Sequence, residues 1–551
     1  MFNRAIGLRR GMGESRGVAG HSAYLSALVG RGRIHGDEGE AVEAAGLYRL
    51  AIENGYRDDA QVFFNAYATQ VFELKRRCLW KEWKGHLSFL VTLAEQQLTE
   101  GMHSSVTAWN ALLYPIHPPV LPNLIASFAA EAERNASRIS PPTFEPSQIG
   151  GALRVGYMSS DWRSHTVCER LTGVIAKHTH AVTVFIITLN PPDDTPCRQR
   201  VLSMGAKVVD VSQLDDMEAV KAIHAAQLHV LVDLNGHTSG SRQSILVHQP
   251  ALSQLTFFGW AGTAGTSRWI QGTVTDRVVS PPELVGEFVE PLVVLPPPFL
   301  AADYSSMRDV VSLWDLDSDP RSALEGSDLP ETAVSKLVDA AKSGALVANF
   351  NRLVKLDEPS WKAWEQVLKT SPKAVLWLIR HPTDHPDAEI NLLNRSAVRD
   401  RVVFTPQLDE SLHLQAKSLV SLHLDTLSYG AHTTALDALI AGTPTVTAPG
   451  ETMSERIGAG LAVGAGIGTT CVARSTEDMR QVASALLKSG GHKDIKRQLA
   501  SLSRRWQSIV PIDAWIKVWE RALRLSAESR SIDRALGRTQ GWNIVVAENS
   551  E

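Results

Sequence analysis

Two series of short, nearly continuous apolar runs constrain the fold of this chain more than any other feature of its sequence. Helix-length segments separate the runs within each series. Apolar strands that alternate with helices are typical of a parallel sheet covered on both faces. Two such series predict an α/β protein with two doubly wound, Rossmann-like halves that face a cleft, where ligands bind at the carboxyl ends of the strands. The runs are a strand at 153, then 182–188, 207–211, 229–234 and 255–258, and in the second series 345–350, 374–380, 401–404, 419–424 and 444–448.

The residues around these halves divide the chain further. Residues 21–150 show little strand signal, and the small-residue spacing of 39–55 is similar to one tetratricopeptide helix. No period of about 34 residues is present, so we expect an α-helical layer with at most one or two degenerate repeats. Residues 1–20 carry four arginines against one glutamate, which predicts a disordered tail or, alternatively, an organellar transit peptide. The predicted boundaries are 1–20, 21–150, 151–302 for the first half, 303–343 for a connector, 344–530 for the second half and 531–551 for a tail.

The bulk composition is ordinary for a soluble globular protein, with 44% hydrophobic and 21% charged residues. The formal net charge of −4 argues against a general nucleic-acid or anionic-membrane surface. No apolar run approaches the ~20 residues that span a bilayer. The four cysteines lie far apart without metal-ligand spacing, so we expect reduced thiols in a cytoplasmic or nuclear protein.

Residues 419–451 carry the strongest local signal for a binding site. An apolar strand there leads into a short loop, and His432, Thr433 and Thr434 open a helix. Three successive backbone N–H groups at a helix start, with two hydroxyls beside them, suit a phosphate group. Asp437 lies one turn along the same helix face, where it can accept hydrogen bonds from a ribose. The alternative is an ordinary threonine N-cap on a buried helix.

The His-Thr-Thr turn and the Ala-Gly-Thr-Pro segment at 441–444 resemble the donor-binding region of the protein O-linked N-acetylglucosamine transferases. The resemblance covers roughly residues 70–530. Further motifs follow in the family's order: CLWKEWKGHLSFLV (78–91), WNALLYP (109–115), LRVGYMSSDWRSH (153–165), LVDLNGHTSGSR (231–242), FFGWAGTAG (257–265), NFNRLVKLD (349–357) and AVLWLIR (374–380).

The resemblance implies a GT-B fold and an inverting, metal-independent glycosyltransferase. Its expected donor is UDP-N-acetylglucosamine, and its expected acceptors are serine and threonine hydroxyls of proteins. No cofactor is implied, and neither nucleic acid nor a membrane is an expected partner.

The resemblance assigns Lys355 to the leaving diphosphate as its main cation. Metal-free transfer needs cations and oriented N–H dipoles at that position, because negative charge grows on the leaving group. Arg352 stands where the family more often has a polar amide, and it can add a second charge. The other residues expected to contact UDP are His432, Thr433, Thr434 and Asp437.

Uridine recognition is expected from the loop 407–415, through Leu408 and His413. Glu410, in the same loop, replaces a lysine that lies against the nucleoside in the family. This substitution reverses the charge beside an anionic ligand, and the sequence offers no explanation for it.

The acceptor side of the site is expected in the first half. Asp161 and His165 are four residues apart and close enough to orient one another. A neutral imidazole accepts a hydroxyl proton near pH 7. A donor phosphate oxygen is the alternative proton acceptor, in which case His165 only positions groups.

The pocket for the sugar and the acceptor is expected to include a tyrosine where the family often has a small residue. Tyr429 narrows this pocket if its ring points inward, and a smaller hexose is then favoured over the N-acetylated sugar. If the ring points away, N-acetylglucosamine remains the donor, and we expect this outcome. The expected pocket residues are Leu112, Leu113, His237, Thr238, Gly259 and Tyr429.

Two alternative functions remain open from the sequence. A related protein O-fucosyltransferase uses a GDP-linked sugar, but that branch typically lacks the histidine found here at 432. A catalytically silent nucleotide-binding scaffold is the other alternative. It is supported by Glu410, by Ala261 in place of a proline, and by Ala431 in place of a glycine.

Overall fold

A computed structural model describes residues 57–136, 149, 151–305, 319–506, 508–538 and 541–547. The expected tail at 1–20 and the tetratricopeptide-like helix at 39–55 lie outside the described residues. None of the helices in the described part of the chain is both long and apolar enough to cross a membrane.

A helical layer precedes the sheets, as the sequence predicts. Its helices are α1 (Arg57–Arg76), α2 (Trp80–Thr99), α3 (Ala108–Leu113) and α4 (Leu121–Ala136). Thr107 caps α3 by accepting a hydrogen bond from the backbone of Asn110, and the proline-rich stretch after α3 separates it from α4. The apolar core of this layer also includes Trp260 from the first half and Tyr429 from the second, so the layer packs against both.

The first half contains a parallel sheet. Its strands are β1 (Leu153–Ser159), β2 (Val182–Thr188), β3 (Lys207–Asp210), β4 (Val230–Asp233), β5 (Ser253–Thr256), β6 (Gly272–Asp276) and β7 (Leu292–Leu295). Its helices include α5 (Thr166–Ala176), α6 (Pro196–Ser203), α7 (Asp216–Ala225) and α8 (Gln243–Val247). The strand order is β7-β6-β5-β4-β1-β2-β3, which puts the ends of β1 and β4 side by side at the centre.

The second half contains a five-stranded parallel sheet. Its strands are β8 (Leu346–Asn349), β9 (Val375–Arg380), β10 (Val402–Pro406), β11 (Leu422–Leu424) and β12 (Thr445–Val446), in the order β10-β9-β8-β11-β12. Its helices are α9 (Glu331–Lys342), α10 (Glu358–Thr370), α11 (Asp387–Asn394), α12 (Glu410–Ser418), α13 (Thr433–Ile440), α14 (Met453–Gly464), α15 (Gly468–Cys471), α16 (Thr476–Ser489) and α17 (His492–Trp506). Each strand predicted from an apolar run is present.

The structure moves both expected boundaries of the second half. Helix α9 lies in the stretch that the sequence assigns to a connector, and its Leu337 packs in the core of the second sheet. After the second half, α18 (Ile512–Ala535) returns to the first sheet, where Trp519 donates a hydrogen bond to Tyr157 on β1. A short strand, β13 (Ile544–Val545), then pairs with β7. The second half therefore ends before α18.

The expectation of four reduced thiols is wrong for one pair of cysteines. Cys168 on α5 and Cys197 on α6 form a disulfide, although 29 residues separate them in sequence. The two helices pack against each other and bring the sulfur atoms together, a long-range contact that cysteine spacing does not encode. Cys78 and Cys471 are free, buried thiols.

Candidate functional site

The loops after β1 and β4 are tied together by Asn235. Its Oδ1 accepts a hydrogen bond from the backbone N–H of Ser160 at 2.8 Å, and its Nδ2 donates to the Ser160 hydroxyl at 2.9 Å. The same Nδ2 lies 3.4 Å from a carboxylate oxygen of Asp161. Because β1 and β4 are neighbours, these loops meet at one edge of the sheet, facing the cleft. Asp161 is thereby held in place from its own loop and from the next one.

His165 begins α5 as its N-cap residue. Its Nδ1 accepts a hydrogen bond from the backbone N–H of Val167 at 3.3 Å and lies 3.7 Å from an oxygen of Asp161. Burial lowers the pKa of His165, and the nearby Asp161 opposes this shift. A neutral imidazole that accepts at Nδ1 carries its proton on Nε2. Nε2 is then a hydrogen-bond donor, which suits positioning of an acceptor or a phosphate better than removal of a proton.

His237 is held as a neutral ring beside the helical layer. Its Nε2 donates to the carbonyl of Ala264 at 2.9 Å, and burial lowers the pKa of His237 to about 4. Thr238 donates to the Asn235 carbonyl, so it belongs to the same loop network. At Gly259, a Cβ would lie 1.9 Å from the carbonyl oxygen of Leu234, so a side chain does not fit there. The close approach of these two loops therefore requires glycine.

Lys355, Tyr429 and His432 form a stack on the opposite side of the cleft. Lys355 ends a short 3₁₀ turn after β8, and its Nζ lies 4.5 Å from the centre of the Tyr429 ring. The Tyr429 ring stacks on His432 with the ring centres 4.7 Å apart. Burial lowers the pKa of Lys355 to about 8, against the influence of Asp425. Burial also lowers the pKa of His432 to about 3, and Lys355 adds to that shift, so the imidazole is neutral.

The Tyr429 ring points into this site, so the expectation that it points away is wrong. It packs with Leu112 and Leu113 of α3 in one apolar cluster, and its centre lies 5.1 Å from that of Trp109. The predicted border residues of the sugar pocket are therefore in one place.

The start of α13 lies beside this stack. The helix begins at Thr433, so its N-cap is His432, whose side chain caps no backbone N–H. The imidazole instead lies 3.0 Å from the carbonyl oxygen of Ser454 and donates to it from Nε2. The alternative of a threonine N-cap is therefore wrong. Thr433 and Thr434 are half-buried, and first-turn N–H groups of a helix attract anions.

Asp425 was not identified from the sequence. It is a buried carboxylate at the end of β11, and its Oδ1 accepts from the backbone N–H groups of Thr426 at 2.8 Å and Ala431 at 2.6 Å. These two bonds close the loop that carries Tyr429. Burial raises the pKa of Asp425 to about 6. The sequence signal that could have identified Asp425 is an aspartate directly after an apolar strand.

Asp437 lies in an ion-pair cluster that crosses the cleft. Its Oδ1 accepts from Arg170 of α5 at 3.0 Å and from the Tyr304 hydroxyl at 2.5 Å, and its Oδ2 accepts from Lys417 at 2.8 Å. Arg170 also donates to Glu410 at 2.5 Å. Burial alone raises the pKa of Asp437, but Arg170 and Lys417 outweigh it and hold this pKa well below its usual range. The carboxylate of Glu410, which reverses the charge expected at this position, is therefore paired with Arg170.

The predicted uridine loop borders this cluster. His413 on α12 has a buried Nδ1 without a hydrogen-bond partner, and its ring meets the edge of Phe350 at 5.2 Å. Arg352 likewise has a buried Nε without a partner, and burial lowers its pKa. Leu408 is half-buried in the loop before α12. Unpaired buried polar atoms are rare, and a ligand is one way to satisfy them.

A sequence model of Glycosyl transferase family 41 matches residues 77–320 and 321–509, which together cover most of the chain. The chain belongs to glycosyl transferase family 41. Membership confirms the resemblance inferred from the His-Thr-Thr turn and the ordered motifs around it.

Two similar curated proteins carry related names. The Arabidopsis thaliana protein named "Probable UDP-N-acetylglucosamine--peptide N-acetylglucosaminyltransferase SEC" is 30% identical over 460 residues, which are 81% of this chain and 45% of the relative. A Caenorhabditis elegans UDP-N-acetylglucosamine--peptide N-acetylglucosaminyltransferase is 23% identical over 517 residues, covering 75% of this chain and 45% of the relative. The family 41 chain described here thus spans about half the length of these relatives.

A solved structure supports the fold. A mutant of the Thermobaculum terrenum O-GlcNAc transferase aligns with a TM-score of 0.61 at 20% identity, over 92% of this chain and 99% of the other. The predicted architecture of two facing doubly wound halves, the GT-B fold, is confirmed.

Proposed function

We propose that this member of family 41 transfers N-acetylglucosamine from UDP-N-acetylglucosamine to serine or threonine hydroxyls of proteins, with inversion and without a metal. The observation that carries the proposal is the meeting of Lys355, Tyr429 and His432 at the start of α13. A cation and a set of helix N–H groups at one point suit a leaving diphosphate. The names of the curated relatives agree with this donor.

The leaving UDP gains negative charge as the bond to the sugar breaks. Lys355 stabilises that charge because its ammonium is half-buried, where charges interact more strongly than in bulk water. His432 is neutral, so it is not a second cation beside Lys355. The first-turn N–H groups of α13 bind phosphate oxygens through the helix dipole.

The acceptor hydroxyl approaches from the first half. Its attack on the anomeric carbon forms the new C–O bond, while the bond to UDP breaks and the electron pair leaves with the phosphate. The hydroxyl proton passes to a phosphate oxygen of the donor. His165 positions these groups, since its Nδ1 is already engaged by the N–H of Val167. That N-cap hydrogen bond keeps the imidazole in its orientation.

The test is sugar transfer to a peptide mixture. Purified protein receives UDP-N-acetylglucosamine labelled in the sugar, and mass spectrometry with electron-transfer fragmentation locates the product. The proposal predicts a mass increment of one N-acetylhexosamine on serine or threonine, with inverted anomeric configuration in the NMR spectrum. Donor hydrolysis without peptide labelling, or labelling only from a GDP-linked sugar, contradicts it.

A further inference from the structure

Arg170 brings a buried positive charge into the cleft from the first half of the protein. Arg170 is 5% exposed, and its guanidinium donates hydrogen bonds to two carboxylates of the second half, those of Asp437 and Glu410. The guanidinium carbon also lies 4.7 Å from the centre of the Tyr304 ring. A buried arginine with two carboxylates and an aromatic face has a fixed orientation.

The charges of the cluster balance only when Arg170 is present. Asp437 and Glu410 contribute two negative charges, and Arg170 and Lys417 contribute two positive charges. Asp437 lies four residues after Thr433 on α13, so it is about 6 Å along the helix axis from the expected phosphate site. Without Arg170, two carboxylates and one ammonium would face the bound nucleotide. That excess of negative charge opposes an anionic ligand.

We propose that Arg170 is a positioning residue of the nucleoside diphosphate site, supplied by the half of the protein that holds the acceptor. It fixes the Asp437 carboxylate for contact with the ribose and neutralises it toward the diphosphate. Glu410 is the counter-charge that keeps the guanidinium in place. This inference rests on the proposed function and identifies how its donor site is completed.

The substitution at 410 supports this assignment. The resemblance implies a lysine at that position, which would put a second cation on α12, within the second half. Here position 410 carries a glutamate, and α5 supplies the second cation: Arg170 reaches Asp437 beside Lys417 of α12. Helix α5 begins at His165, so one rigid helix contributes both to the acceptor side and to the donor side. The donor site is therefore complete only when the two halves are closed on each other.

Calorimetric binding of UDP to the full chain tests this inference, with the melting temperature measured in parallel. Arg170→Met removes the charge and keeps an apolar stem. We expect UDP to bind about 10- to 100-fold more weakly, the usual effect of losing a hydrogen bond to a charged group. The double variant Arg170→Met/Glu410→Lys returns a cation from α12, and we expect it to bind UDP within about threefold of the unmodified protein.

Arg200→Met is the matched control. Arg200 on α6 pairs with Glu169 on α5, so it also ties α5 to its surroundings but does not reach Asp437. We expect UDP binding within about twofold of the unmodified protein, because surface ion pairs contribute little. If Arg170→Met does not fold, Arg170→Lys replaces it. The shorter ammonium cannot span both carboxylates, and we expect binding about three- to tenfold weaker.

A folded Arg170→Met protein that binds UDP normally overturns the inference. Equal weakening in Arg200→Met also overturns it, because loosening of α5 would then explain the effect. Failure of the double variant to recover UDP binding likewise overturns the inference. The proposed function fails separately if the unmodified protein binds UDP but transfers no sugar, and absence of UDP binding by that protein contradicts both.

Discussion

The ammonium of Lys355 lies 4.5 Å from the centre of the Tyr429 ring. This contact joins the cation expected at the leaving diphosphate to the residue expected at the border of the sugar pocket. A cation on an aromatic face gains about 0.5–2 kcal/mol, less than a direct ion pair with a desolvated phosphate provides. The ammonium is therefore held at the site and remains free to turn to the donor.

The pKa of Lys355 predicts how activity depends on pH. Burial lowers this pKa to about 8, so the ammonium is charged below pH 8 and neutral above it. Only the charged form stabilises the diphosphate, so kcat/KM for the donor should be level below that pH and fall about tenfold per unit above it. The bound diphosphate favours the charged form, so the fall in kcat should begin at a higher pH. Initial rates measured across this pH range give both the kcat/KM profile and the kcat profile. A level kcat/KM up to pH 10 contradicts this role.

The substitution Asp425→Asn should shift the alkaline fall in kcat/KM. The carboxylate of Asp425 raises the pKa of Lys355, so its removal lowers this pKa further and shifts the fall in kcat/KM to lower pH. The amide oxygen of asparagine still accepts from the N–H groups of Thr426 and Ala431, so the loop should keep its shape. The control is Asp494→Asn, since Asp494 exposes 83% of its side chain in a surface pair with Arg497. An unchanged profile in a folded Asp425→Asn protein would show that the two residues are not coupled.

Donor choice depends on Tyr429. Its ring packs with Leu112 and Leu113, which is the inward orientation, so it narrows the pocket for the acetyl group. The proposed function still predicts a preference for UDP-N-acetylglucosamine over UDP-glucose when both compete in one assay, although the inward ring weakens it. A misfit of one methylene costs about 1–3 kcal/mol, so the preference should be relaxed and not absolute. Clear preference for UDP-glucose refutes the donor assignment, and Tyr429→Ala should then restore transfer of the larger sugar.

Removal of divalent metals should leave transfer unchanged. The proposed diphosphate site consists of Lys355 and the start of α13, which supply charge and N–H dipoles without an ion. Initial rates with EDTA, and after re-addition of manganese or magnesium, measure this directly. A strict requirement for either ion would show that carboxylates of the site act as metal ligands.

The sheets were largely predictable from the sequence, but strands β6, β7 and β13 were missed, β7 although it is apolar. Apart from the edge strand β3, which is mostly exposed, the predicted strands are largely buried and apolar, so their runs stand out. Strand β6, Gly-Thr-Val-Thr-Asp, was missed because its buried polar side chains are satisfied by hydrogen bonds, for example from Thr273 to Glu290. Helix α18 was missed as part of the first half because its return across the cleft is a long-range contact.

The parts of the candidate site that lie within one loop were predictable from the sequence. The local pattern identifies His432 and the start of α13, which follow a strand end, whereas Lys355 was identified through the family resemblance. The pairing of Arg170 with Glu410 was not predictable, because the two residues are 240 positions apart and neither has a distinctive motif. The disulfide between Cys168 and Cys197 escaped notice for the same reason.

The most direct test of the account is the rate of sugar transfer by Lys355→Ala. Its matched control is Lys362→Ala, because Lys362 lies on α10, exposes 68% of its side chain and pairs only at the surface with Glu358. Loss of the main cation at the leaving group should lower kcat about a hundredfold or more with the melting temperature nearly unchanged, while Lys362→Ala keeps full activity. Near-normal transfer by a folded Lys355→Ala protein would contradict the proposed mechanism.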